Sequence, residues 1–400
     1  MEEPVSIHLY PQGYIPEGFL IRLAVFAASK EASCIWVETA KRSDITNLKK
    51  LSLINGIKSV AFLKNTALAI DAIHSGAYAL ALPYQLVKNL PDLSQVDIKD
   101  LHEVYLTNFP EDVSFTEGSH ISTLNSENRV KEEKYGKYTD LEMIKIRKTV
   151  SFINHQKNYQ IEDFIKAIEH LRSKGFNKIT SCFFHREMFV SFNIAKLLHN
   201  SFGIKTLVSV NSNLPEEQFL YETALVAGSI MSEGCGRGIM ILLQAPEDPI
   251  KRLKSSLFRW RQLERAIKIS RTLLGATGHI ILPYTIISCP TCGRCQLDIQ
   301  SMASRAERIM HSIEKRYRRN GKPLERIGGI KIAIMGCNVN GPGEARDADI
   351  GIAGGKGRTG TVFMNGKPLI TISEKKLLSE FIHQIEKLIN QRFELKSLNP

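Results

Sequence analysis

SVAFLKNTALAIDAIHSGAYALAL, residues Ser59–Leu82, is the stretch on which the fold turns. Ser59–Phe62 and Tyr78–Leu82 are short apolar runs of strand type. The amphipathic segment between them, Thr66–His74, has helical spacing and is stopped by Gly76, the residue expected just past a helix end. A strand, a helix and a second strand in succession make a βα unit, and repeated units of this kind build a parallel sheet. The alternation extends outward in both directions. Cys34–Thr39 precedes it, and Ile179–Phe183, Thr206–Val210 and Ile239–Leu243 follow, with a further helix at Ile161–Ser173 ahead of Gly175. Repetition up to about residue 285 predicts a closed (β/α)8, TIM-like barrel, with an open sheet as the alternative that periodicity alone leaves standing. Glu111–Tyr138 is polar and weakly patterned and is expected to be a long loop or an excursion from the barrel.

Around Gly275–Pro283 the pattern changes. A cysteine-rich turn is followed by a helix from Asp298 to Arg319, a strand at Gly328–Met335, and a glycine-rich loop. Short strands at Ile350–Ala353 and Thr361–Met364 come next. The last helix, Ser373–Arg392, places Leu377, Leu378, Phe381, Ile382, Ile385, Leu388 and Ile389 on one face. The expected architecture is therefore α/β throughout, with a barrel domain over residues 1–283 and a small, separate α/β domain over residues 284–400.

Composition narrows the function classes. The chain has 400 residues, 43% of them hydrophobic, enough for a sizeable core. No run of 18 apolar residues is present, so no membrane-spanning helix is expected. The first residues, MEEPVSIHLYPQG, lack the apolar centre of a signal peptide, and a cytoplasmic protein is expected. The net charge of +12 favours an acidic partner or an anionic small molecule. No nucleic-acid-binding motif with interleaved aromatics accompanies it. The densest basic stretch, KRYRRNGK (Lys315–Lys322), is expected to be a solvated helix end whose cations complement the dipole.

Seven cysteines in such a chain do not form a disulfide framework. Cys34 and Cys182 fall within strands and are expected to be core thiols, and Cys235 lies in the turn SEGCGRG. The other four differ. SCPTCGRC (Ser288–Cys295) can turn two or three thiolates back on one metal or cluster, and Cys337 arrives at a strand end in GCNVNGPGEA. Zinc would want a second paired cluster of ligands. Four ligands drawn from Cys289, Cys292, Cys337 and either Glu344 or Cys295 suit a four-iron, four-sulfur (4Fe–4S) cluster. In the following loop, Asn338–Gly360, Gly341, Gly343, Gly354, Gly355, Gly357 and Gly360 permit close backbone approach, while Lys356 and Arg358 add charge where a phosphate can dock. A plain glycine-rich turn is the alternative.

SCPTCGR, MGCNVNGPGEARDADIGIAGG and FMNGK together resemble the C-terminal domain of the 4-hydroxy-3-methylbut-2-enyl diphosphate synthase family, the iron–sulfur enzymes of the methylerythritol phosphate route to isoprenoids. The match is dense over Ile287–Lys367. SEGCGRG (Ser232–Gly238), EDPIKRL (Glu247–Leu253) and EEKYG (Glu132–Gly136) are similar to landmarks of that family's barrel. The resemblance implies a 4Fe–4S cluster on Cys289, Cys292, Cys337 and Glu344, the last a labile ligand and possible proton carrier. It implies reductive ring opening and dehydration of 2-C-methyl-D-erythritol 2,4-cyclodiphosphate, with flavodoxin or ferredoxin as electron donor. It also implies a homodimer in which one subunit's barrel closes over the other's cluster.

The barrel half departs from that pattern. The family's substrate-binding residues fall at Trp36, Ala61, Leu63, Ala81, Pro83, Phe184, Asn211 and near Met240, so an apolar mouth is expected. Lys41, Arg42, Lys64, Lys88 and Arg186 lie nearby. Cys295 is a second departure: if it replaced Glu344, the cluster would have no exchangeable corner. A paralogue that reduces another anionic molecule, or serves as an electron-transfer or partner protein, is the alternative function.

Overall fold

The computed structural model describes residues 6–11, 17–91, 93, 101, 103–107, 161–183, 188–212, 214–243, 256–289, 293, 295, 297–337 and 347–398. Two compact units emerge, Met1–His279 and Ile280–Pro400. The first contains β1 (Ser6–Pro11), α1 (Glu17–Ser29), β2 (Cys34–Thr39), α2 (Arg42–Ser52), β3 (Lys58–Leu63), α3 (Ala69–His74), β4 (Ala79–Pro83), β5 (Glu103–Thr107), α4 (Ile161–Ser173), β6 (Ile179–Phe183), α5 (Met188–Phe202), β7 (Thr206–Asn211), α6 (Glu216–Glu222), α7 (Gly228–Ser232), β8 (Gly236–Leu243) and α8 (Ser256–Ala276). Its eight strands close into a barrel in sequence order, every neighbouring pair parallel. The unit is a TIM-like barrel.

Closure depends on the SEGCGRG turn. A Cβ on Gly238 would come within 2.2 Å of the Ser6 carbonyl oxygen, so only glycine lets β8 run against β1 from Ser6↔Gly238 to Pro11↔Leu243. Inside the barrel, large rings meet small residues. Tyr10, Trp36, Phe62 and Tyr105 share one cluster with Ala79 and Ala81 of β4. Trp36 lies 5.2 Å from Tyr105 and Tyr10 lies 5.7 Å from Phe62, centroid to centroid. Alternation along β3 puts Val60 and Phe62 inward, so Ala61 and Leu63 sit on the opposite face.

The interior also holds polar groups. His8 is fully buried, its Nδ1 accepting from Trp36 Nε1 at 3.0 Å and its Nε2 paired with Ser6 Oγ at 2.6 Å. Burial, then the nearby Arg237 and Lys58 charges, push its pKa from 6.5 to about 3. His8 is therefore neutral in the folded chain at a pH where the unfolded chain protonates it. Between pH 6.5 and about 3 the unfolded state binds the extra proton, so stability is full above 6.5 and declines as the pH falls, by roughly 1.4 kcal/mol per unit at most. Denaturant titrations from pH 7.5 to 5 should show this slope in the wild type. It should be flattened in His8→Asn, which keeps an acceptor for Trp36; an unchanged slope would remove His8 from the account.

The second unit contains β9 (Tyr284–Ser288), α9 (Ile299–Arg319), β10 (Ile330–Met335), β11 (Ile350–Gly355), β12 (Thr359–Met364), β13 (Lys367–Ser373) and α10 (Glu374–Leu398). The sheet order is β13-β12-β11-β10-β9, with β9, β10 and β11 parallel and β12 and β13 antiparallel. Both helices bury apolar stripes in a single cluster with the sheet: Met302, Met310 and Ile313 from α9, and Leu377, Phe381, Ile385 and Ile389 from α10, with Ile332, Ile334, Ile352 and Val362. The strand expected from Gly328 begins at Ile330, because Gly328 and Gly329 both have positive φ. A Cβ on Gly329 would lie 2.1 Å from the Leu282 carbonyl oxygen. Among the described residues, no helix is long and apolar enough to cross a membrane.

Candidate metal centre

Parallel pairing of β9 and β10 brings two distant cysteines to one edge of the small sheet. Cys289 immediately follows β9, and its N–H donates to the Ile334 carbonyl at 3.3 Å, extending the ladder. Cys337 lies just beyond β10, after Gly336. The Gly336 N–H donates to Cys289 Sγ at 3.2 Å. The carboxyl ends of parallel strands are where open α/β sheets bind ligands.

Gly336 is enclosed on several sides. A Cβ there would stand 2.3 Å from Cys295 Sγ and 3.2 Å from both Cys295 Cβ and Ile299 Cγ1. A Cβ on Gly354 of β11 would stand 2.3 Å from the Gly336 carbonyl oxygen. The Cys295 thiol donates to the Leu297 carbonyl at 3.1 Å. Helix α9 starts at the same place, with the Asp298 carboxylate accepting from the Ser301 N–H at 3.1 Å. Its positive N-terminal end favours negative charge beside it.

The β11–β12 hairpin turns on this edge too, because β11 runs parallel to β10. Lys356 and Arg358 in the turn are exposed, with Gly357 at φ +68° and Arg358 at φ +58°.

The cysteines divide as their positions foretell. Cys34, Cys182 and Cys235 are buried, and burial pushes the Cys34 thiol up to about 12 and Cys182 well above its ordinary value. Cys289, Cys295 and Cys337 are partly exposed around Gly336. Cys292 and Glu344 lie outside the described residues, as do Asn338, Asn340, Gly341 and Gly343. Among the described residues no group of three His, Cys, Asp or Glu has metal-holding geometry. Two of the four expected ligands are described, and an N–H already directed at Cys289 Sγ suits a thiolate ligand. The described part of the expected donor set, Cys289 and Cys337 at adjacent strand ends, is compatible with thiolate ligation of an iron–sulfur cluster.

At the barrel mouth the replacements are located. Trp36, Ala81 and Met240 lie in the interior cluster. Ala61 and Leu63 face the other way, so the interior position on β3 is Phe62, with Lys64 Nζ 5.2 Å from its ring centroid. Phe184 and Arg186 lie outside the described residues. Lys41, Lys64 and Lys88 are exposed, and Arg42 pairs with Asp71 at 3.6 Å. Sequence reasoning missed one mouth contact: the Tyr10 hydroxyl donates to Glu38 Oε1 at 2.5 Å, and burial together with that carboxylate holds the phenol well above its ordinary value. Only the shared strand-end position of the two residues hints at it.

Fold and site define a class: a parallel eight-stranded barrel joined in one chain to a small α/β domain that gathers cysteines at its sheet edge. Residues 285–387 match the family model described as GcpE protein C-terminal domain, and the chain resembles the diphosphate synthases that share that domain. A 4-hydroxy-3-methylbut-2-en-1-yl diphosphate synthase (flavodoxin) from Caldanaerobacter subterraneus subsp. tengcongensis is 30% identical over 231 residues, 58% of this chain and 57% of the relative. One from Macrococcus caseolyticus is 36% identical over 172 residues, 43% of this chain and 38% of the relative. The chain thus spans between about two fifths and three fifths of the length of these curated relatives. Among solved structures, a truncated 3-deoxy-D-arabino-heptulosonate 7-phosphate synthase from Thermotoga maritima is similar with a TM-score of 0.44 and 13% identity, over 68% of this chain and 88% of that one. A likeness of that size carries no functional meaning.

Proposed function

We propose that the chain is an iron–sulfur oxidoreductase of the 4-hydroxy-3-methylbut-2-enyl diphosphate synthase type. In this reading it opens the ring of 2-C-methyl-D-erythritol 2,4-cyclodiphosphate, taking up two electrons and two protons and releasing one water. The observation that carries the proposal is the single sheet edge holding Cys289, Cys337 and the Lys356–Arg358 turn. Cys289, Cys292 and Cys337 supply thiolates and Glu344 a carboxylate to a 4Fe–4S cluster. When bound, that cluster supplies a Lewis-acidic iron and a route for single electrons.

The chain's own residues do the rest. Gly336 donates its N–H to the Cys289 sulfur and steadies the thiolate charge. Lys356 and Arg358 meet the diphosphate, for which a planar guanidinium is well shaped. In this reading Glu344, a weaker ligand than a thiolate, leaves one corner exchangeable and serves as a proton carrier. Flavodoxin or ferredoxin is the electron donor, the assembly a homodimer and the compartment cytoplasmic.

A second reading draws on Trp36, Ala81 and Met240 in the barrel interior, where the family keeps polar substrate residues. It makes the chain a paralogue with the same cluster chemistry on another anionic substrate, or an electron-transfer partner. Anaerobic reconstitution followed by iron and sulfide analysis, electron paramagnetic resonance and turnover of the cyclic diphosphate with reduced methyl viologen separates the two. Turnover, lost in Cys337→Ser, supports the synthase. A full cluster without turnover, and without complementation of a synthase-null bacterium, selects the paralogue. Iron-free protein after reconstitution sinks both.

A further inference from the structure

The helix that leaves the cysteine turn carries an unbalanced row of charge. Arg305, Arg308, Lys315 and Arg319 of α9 are all exposed, and none makes an ion pair among the described residues. At 3.6 residues per turn they fall within an arc of about 80° and extend over about 21 Å of helix. Ser301 and Ser312 share that arc. Glu307 and Glu314 fall more than about 100° from its centre, and Glu314 is taken by Arg318.

Fold stability does not account for the row. Lys315 and Arg319 complement the helix dipole near its C-terminal end, but Arg305 and Arg308 lie in the N-terminal half. Arg305 with Arg308 and Lys315 with Arg319 are like charges at i,i+3 and i,i+4, spacings that weaken a helix. The adjacent basic residues behave otherwise: Arg316 is bonded to Glu386, and Arg318 to Glu314 and Glu325. The stretch expected to be only a solvated helix end thus divides into neutralised residues and an exposed row.

The row has a fixed relation to the metal centre. Ile299, the first residue of α9, packs against Gly336 between the cysteines. We infer that this face of α9 is the docking surface for an acidic electron-transfer protein, which the row holds within reach of the cysteine edge. The inference rests on the cluster reading above and names the contact surface of its donor. In each encounter the donor is oxidised by one electron and the cluster reduced by one. Opposed charge raises the encounter rate and makes it sensitive to salt. An acidic protein fits better than nucleic acid, because the row is a single straight line with no interleaved aromatic and starts about 9 Å along the helix from Ile299, the residue beside Gly336.

Full-length reconstituted protein with Arg305→Glu and Arg308→Glu, and separately with Lys315→Glu and Arg319→Glu, tests this. Stopped-flow reduction by reduced bacterial flavodoxin at low ionic strength should slow about tenfold or more in each, with a flattened salt dependence. Reduction by methyl viologen radical should be unchanged. Equal rates with flavodoxin, or equal losses with both reductants, would overturn the inference. Binding of oxidised flavodoxin to cluster-free full-length chain gives a second arm. It should be strong in wild type and lost in the variants, and it judges the surface even if no cluster forms. Retained binding, or loss of RNA binding alone, also counts against it.

Discussion

Gly336→Ala is expected to weaken cluster retention by about 10–100-fold, the range for removing a partner that orients a metal ligand. The added Cβ would meet Cys295 Sγ at 2.3 Å. The thiol cannot turn aside freely, because it would give up its bond to the Leu297 carbonyl, and Cys295 Cβ and Ile299 Cγ1 stay at 3.2 Å. The Gly336 peptide must therefore move. It is fixed on its other side by Gly354, so the movement costs the N–H bond to Cys289 and shifts Cys337 next door. Because the severest conflict is with the sulfur, removing it should relieve most of the clash and leave the two 3.2 Å contacts, which need shifts of a few tenths of an ångström. Gly336→Ala with Cys295→Ala should regain most of the iron lost by Gly336→Ala alone, and Cys295→Ser by itself should keep the wild-type spectrum. Iron content and electron paramagnetic resonance after anaerobic reconstitution read this out. Failure of the double variant to recover, or loss of the cluster in Cys295→Ser, would mean that Cys295 is a ligand and not a wall beside Gly336. Thermal melts of cluster-free protein should follow the same order, which keeps the steric claim testable without iron.

How much of this was legible in the sequence differs from residue to residue. The βα alternation was plain where apolar runs were unbroken, as in Tyr78–Leu82 and Ile239–Leu243. It was faint in β1 and β5, where His8 and Glu103 occupy interior positions and interrupt the run. The edge strand β9 has no fully buried residue; only Tyr284 and Ile286 pack against the core, and the apolar Ile287 on the other face is exposed. The cysteine spacing raised the expectation of a metal site but did not rank Cys295 against its neighbours. Three thiols within seven residues look alike until the chain turns, and only the contact with Gly336 assigns one of them to the backbone. On β3 the sequence did not say which of Ala61, Phe62 and Leu63 faces inward; the structure puts Phe62 in the interior cluster. Strand periodicity makes a one-residue slip total, since every side chain changes face.

The floor of the barrel supports the second large effect, on stability. Glu103 at the start of β5 and Arg237 at the start of β8 meet across the interior through two bonds of 3.2 Å, with side-chain exposures of 6% and 12%. Tyr105 Oη donates to Glu103 at 2.8 Å, and Thr180 Oγ1 donates to its other oxygen. Residues at the N-terminal face of such barrels serve the fold and not the chemistry. Removing one member of a buried pair leaves the other charged and unmatched, at a cost of about 3–5 kcal/mol. The two ends of the pair are not equivalent. Arg237→Met leaves Glu103 with two hydroxyl donors and an option to protonate, so its loss should lie near about 3 kcal/mol. Glu103→Leu strands a guanidinium and two hydroxyls together and should reach about 5 kcal/mol. Combining the two changes removes both charges, and the double variant should be more stable than Glu103→Leu alone, since interacting sites are not additive. Denaturant titrations at pH 7 measure all three. Additive losses would show that the bridge is incidental and that each side chain acts through its packing. Recovery in the double variant would show that the floor is closed by charge, and that the mouth above it is free to vary without loosening the barrel.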